Sequence, residues 1–117
     1  MTAQDLSDPS PSADGMNCLF TLALPRALED EVLDLLREQR DLVPGFSVVH
    51  GQGVGSGASL STAMEQVQGR ARRVLVYAVM READVAPLVQ RLGQALKSPG
   101  VFYWAAPLLA SGRLGSP

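Results

Sequence analysis

The chain has one cysteine, one histidine and one tryptophan in 117 residues, and aromatic residues make up only 5% of it. A lone cysteine, Cys18, closes no internal disulfide; in its apolar run the thiol reads as a small buried hydrophobe, and a reducing, cytoplasmic setting is expected. One histidine and one cysteine leave no recognisable Ser/His/Asp or Cys/His arrangement, which points to a role other than catalysis. No apolar run approaches the roughly 20 residues that span a bilayer, and no basic leader precedes an apolar core. Direct membrane insertion is therefore not expected. Excess charge of either sign is also missing: 10 basic against 12 acidic residues leave a net charge of -2, with no global attraction for nucleic acid or anionic lipid. Any basic site must be local.

What is present is the composition of a folded single domain, 46% hydrophobic and 19% charged. The opening stretch "TAQDLSDPSPSADG" is too polar to offset its ordering entropy, so residues 1–15 are expected as a disordered tail, 16–114 as the domain and 115–117 as a short end. From Asn17 to Leu24 a short apolar run ends at Pro25 and reads as a strand. Leu28, Val32, Leu35 and Leu36 then recur at helical spacing, with the acids Glu29, Asp30, Glu31 and Asp34 on a solvated side, until "VPG" stops the helix. Phe46 to His50 and Arg73 to Met80 read as strands two and three. Asp84 is expected to cap a second helix whose apolar face is Val85, Leu88, Val89, Leu92 and Leu96, and Val101 to Ala106 supplies strand four.

The order βαββαβ predicts an α+β, ferredoxin-like sandwich: an antiparallel four-stranded sheet with two helices on one face. A monomer of that kind should alternate apolar with polar residues on its strands. Here Leu75, Tyr77 and Val79 oppose Val74, Val76, Ala78 and Met80, and strands one and four are likewise apolar on both sides. An uncovered apolar sheet marks an association surface, so a homo-oligomer built through the open face is expected. Trp104 and Tyr103 are read as core or interface aromatics.

Between strands two and three lies "HGQGVGSGASLSTAMEQVQGRARR", with Gly51, Gly53, Gly55 and Gly57 at alternate positions before Arg70, Arg72 and Arg73. This spacing is neither a dinucleotide fingerprint nor a P-loop, and the simplest role of the glycines is conformational freedom. The arginines can hold carboxylate or phosphate oxygens through two parallel bonds. They can equally form a solvated strand entrance or ion pairs with acids such as Glu65. An effector site for a small anion is therefore drawn from Gly51, Gly53, Gly55, Arg70, Arg72 and Arg73, with Arg113 of a neighbouring subunit. His50 is the candidate metal ligand, although the other soft donors, Cys18, Met16, Met64 and Met80, have no recognised ligand spacing.

The segments "MNCLFTLALP", "VPGF", "EQVQGRARRV" and "SGRL" resemble a bacterial family of the PII-like superfamily found beside heavy-metal efflux systems of the resistance-nodulation-division type. The resemblance implies a trimer with its sheets packed inward, and a sensor whose loop, residues 51–69 here, moves when an effector binds in the clefts between subunits. It also implies a partner such as a membrane efflux transporter or its regulator. The alternative is a trimeric metal-binding accessory protein resembling the divalent-cation-tolerance proteins. Where nitrogen-regulatory PII proteins carry a glycine-rich, lysine-bearing phosphate loop, this chain has only "LKSPGV", so the resemblance does not extend to ATP binding.

Overall fold

The structure, a computed structural model, describes residues 15–54 and 71–115. Strand β1 runs Cys18–Pro25, and a 3-10 turn at Arg26–Leu28 leads into helix α1, Glu29–Arg37. Strands β2, Ser47–Gly53, and β3, Ala71–Met80, follow. A second 3-10 turn, Glu82–Asp84, precedes helix α2, Val85–Ala95, and β4 is Phe102–Pro107. The sheet order is β2-β3-β1-β4, with all three pairings antiparallel. This is the ferredoxin-like arrangement that the element order predicted.

Local chemistry explains each turn of the path. Pro25 holds an extended backbone at φ -65° and ψ 145°, which ends β1 and starts the 3-10 turn. Glu29, Asp30 and Glu31 occupy the first turn of α1 and Arg37 the last, matching the helix dipole at both ends. Helix α1 buries Val32, Leu33 and Leu36, whereas Leu35 is only half-buried. The three residues of tighter 3-10 geometry before Glu29 break the phase that counting from Leu28 assumes. Asp84 makes no side-chain cap to α2. Its turn is tied down instead by Asn17, whose Oδ1 accepts the Glu82 amide at 2.8 Å.

The register sorts the side chains cleanly. Phe20, Leu22 and Leu24 of β1 lie level with Ala78, Val76 and Val74 of β3. All six are buried in one core with Val32, Leu33, Leu36, Leu88 and Leu92 of the helices. Alternation sends the intervening residues to the other face, where Leu19, Thr21 and Ala23 lie beside Val79, Tyr77 and Leu75 and, across β4, Ala106, Trp104 and Phe102. No helix of the described residues joins that face.

Candidate functional site

Strand β2 extends beyond its expected end at His50. Gly51, Gln52 and Gly53 pair with Arg73, Arg72 and Ala71, so the first glycines belong to a ladder and not to the loop. Gly51 has no positive φ, the conformation that would have required glycine. The pairing brings four of the expected effector residues, Gly51, Gly53, Arg72 and Arg73, to one end of the sheet. Gly55 and Arg70, with the rest of the loop to Gly69, lie outside the described residues.

At this end the sheet holds a buried cation. Arg73 is 7% exposed; its Nη2 donates to the Gly100 carbonyl at 3.0 Å, and its Nη1 is buried with no hydrogen-bond partner. Burial pulls the guanidinium below its ordinary pKa, yet an arginine does not give up its proton in a protein. A buried charge facing one carbonyl is under-compensated, and a guanidinium is chemically suited to pair with carboxylate or phosphate oxygens. The solvated strand entrance expected for this residue is therefore not what the fold builds. The amide of Gly100 is engaged as well, donating to Ser98 Oγ at 3.2 Å, so the turn before β4 directs a carbonyl toward Arg73.

Arg113 is exposed on the arm that follows β4. On β1, Cys18 is level with Pro107 while Pro25 is level with Arg73, seven residue steps along the strand. That is about 23 Å. Ser111, two residues before Arg113, donates to the Met16 carbonyl at that far end, so Arg113 and Arg73 do not close on one small anion within a protomer, and a shared site requires the arm of another copy.

His50 lies on the helix side of β2, level with Val74, and its Nε2 is 3.0 Å from Glu29 Oε2. Glu29 Oε1 also lies 3.8 Å from Arg26 Nε, so this carboxylate bridges two basic groups. Among the described residues no three His, Cys, Asp or Glu side chains gather as metal ligands. Cys18 and Met80 pair with each other at the opposite end of the sheet from His50, and Met64 lies outside the described residues. The Cys18 thiol is buried, which raises its pKa and keeps it protonated.

Sequence reasoning missed the Gly100 carbonyl, which no side-chain pattern reveals, and a pocket between α2 and β4. It could have singled out Arg73, because alternation along β3 places this residue in one stripe with Leu75, Tyr77 and Val79.

The family described as "Protein of unknown function (DUF3240)" matches residues 15–115, nearly the whole described chain. The chain belongs to the DUF3240 family. No curated protein matches it. Among solved structures, a DUF3240 family protein from Shewanella baltica is similar with a TM-score of 0.68 and 21% identity, covering 86% of this chain and 98% of that one. The nitrogen regulatory PII-like protein CPII from Thiomonas intermedia K12, bound to ADP, AMP and bicarbonate, gives a TM-score of 0.59 at 20% identity, covering 86% and 94%. CPII bound to ADP, AMP and acetate gives 0.55 at 20% identity, covering 83% and 89%. At these identities the likeness establishes the fold that this DUF3240 chain shares with PII-like proteins. Among its described residues no helix is long and apolar enough to cross a membrane.

Proposed function

We propose that the chain is a non-enzymatic, PII-like regulatory protein. It assembles as a homotrimer through its open sheet face and takes a small anion beside Arg73, in the cleft between copies. The observation that carries this reading is the buried Arg73 guanidinium, with Nη2 held by Gly100 and Nη1 unpartnered. A guanidinium fork suits a planar, two-oxygen anion, and Arg113 of a neighbouring copy would complete the charge. CPII holds bicarbonate in one structure and acetate in another, beside adenine nucleotides. In this chain a bicarbonate-sized anion is favoured over nucleotide phosphates, because the segment before β4 is only "LKSPGV" and its Gly100 amide is already taken by Ser98.

Nη1 is closed to solvent, so an anion reaches it only when the turn at Gly100 shifts. That coupling is what a sensor requires: occupancy at Arg73 acts on Gly51, level with it at the end of β2, and so on the segment beyond Gly53 that contacts the partner. The partner class implied by the family resemblance is a heavy-metal efflux transporter or its regulator.

The test is calorimetry and thermal denaturation with bicarbonate, acetate, AMP and ADP at constant ionic strength. A ligand at one hundred times its Kd should stabilise the wild-type chain by about 2.7 kcal/mol. Arg73→Gln, confirmed as folded by circular dichroism, should lose this response. Equal responses in the two proteins, or none from the wild type with any of the four, would remove the reading.

A further inference from the structure

Helix α2 carries a glycine that its own backbone does not need. Gly93 lies two residues before the helix ends at Ala95, away from the cap at Leu96, with no positive φ. Glycine is the poorest helix former after proline, so at this position the helix gives up about 1 kcal/mol relative to alanine. Within the protomer no packing contact among the described residues requires it: a Cβ built on Gly93 would meet nothing within 4 Å.

What Gly93 borders is a cavity of about 190 Å³ between α2 and β4, on the helix side of the sheet. Phe20, Leu22 and Leu92 are buried and form its floor, while Val89, Leu96 and Val101 line it from the half-buried margin. Gly93 and Tyr103 are exposed and stand at its rim. The Tyr103 ring stacks on Phe20 with centroids 5.9 Å apart and planes inclined by 26°, giving the cavity an aromatic wall. An enclosed cavity of roughly 150 Å³ lined by Leu, Ile and Phe accepts a benzene ring; this pocket is of similar size but open on the side of Gly93 and Tyr103.

We infer that this pocket is a binding site for a small, uncharged aromatic molecule, entering past Gly93 and stacking along the Phe20–Tyr103 wall. No Asp, Glu, Lys, Arg or His lines it, so a charged ligand would be desolvated without compensation. Ser98 supplies a hydroxyl in the lining; its oxygen already accepts the Gly100 amide, which leaves its hydrogen for one acceptor atom on the ligand. Apart from Phe102, the lining lies on the opposite side of the sheet from the apolar face formed by Leu75, Tyr77 and Val79, and the inference does not depend on the anion reading.

The full chain is titrated with toluene, indole and, as the charged counterpart, benzoate, following methyl resonances and melting temperature. Toluene and indole should shift the methyls of Val89, Leu92, Leu96 and Val101 and raise the melting temperature, with benzoate weaker by roughly tenfold or more. Gly93→Leu, whose side chain occupies the rim, should weaken indole by about tenfold or more. Gly93→Ala should melt several degrees higher than wild type without ligand and bind indole less tightly. Methyl changes confined to Leu75 and Val79, undiminished binding by both variants, or no response to either neutral probe would overturn the inference. The methyl map of the wild-type chain decides the matter even if Gly93→Leu fails to fold.

Discussion

Thr21 occupies the centre of the open face, level with Tyr77 on one side and Trp104 on the other. It is fully buried, and its Oγ1 has no hydrogen-bond partner. Such a hydroxyl costs about 1–3 kcal/mol, and replacing it with a methyl of nearly the same shape removes the cost. Thr21→Val should therefore raise chemical-denaturation stability by roughly 1 kcal/mol without changing the denaturant slope. A loss instead would show that the hydroxyl finds a partner when copies assemble. Arg73 and Thr21 are the two buried polar side chains of the described core with unpartnered atoms, and both stand on the face without helices. Their positions were legible from alternation alone. Their missing partners were not, because burial of Arg73 depends on Gly100, 27 residues away in the chain.

At the scale of the element, the extension of β2 matters most. Its last residues are glycines in a paired, extended backbone, and a Cβ at Gly51 would meet nothing within 4 Å. A β-branched side chain there reduces the freedom of the unfolded chain and suits a strand, so Gly51→Thr should stabilise the protein by about 0.5–1 kcal/mol. Amide exchange at Gln52 and Gly53 should slow in parallel. A destabilised variant would mean that this end of the strand is not held as described. Helices were recoverable from their 3.6-residue pattern, and strands as short apolar, β-branched runs bounded by proline or glycine. Their ends were less so: glycine reads as loop although its backbone can pair, and Asp84 reads as a cap although the Asn17 side chain holds the turn before α2.

For the whole molecule, the decisive feature is the face formed by Val49, Leu75, Tyr77, Val79, Phe102 and Trp104. Val49, Val79, Phe102 and Trp104 are each 40–49% exposed, a cluster of large apolar groups that self-association would cover. Trp104→Asp sets a charge in the middle of such an interface. Sedimentation should show the wild-type chain as an assembly and the variant as 12.4 kDa protomers with an unchanged circular dichroism spectrum. A wild-type chain sedimenting at protomer mass across the micromolar range would remove the oligomer and, with it, any cleft for Arg113 to share.

The order of secondary elements, the apolar character of both sheet faces and the placement of arginines beside a glycine-bearing segment follow from the sequence by itself, since each is a pattern among near neighbours set by backbone periodicity. Tertiary structure decided which glycines are strand, that Arg73 is buried against Gly100, that His50 meets Glu29, and that Ser111 ties the arm bearing Arg113 to Met16 at the opposite end of the sheet. Those outcomes depend on strand register and on contacts between distant segments, which only the assembled sheet with its packed helices brings within reach of one another.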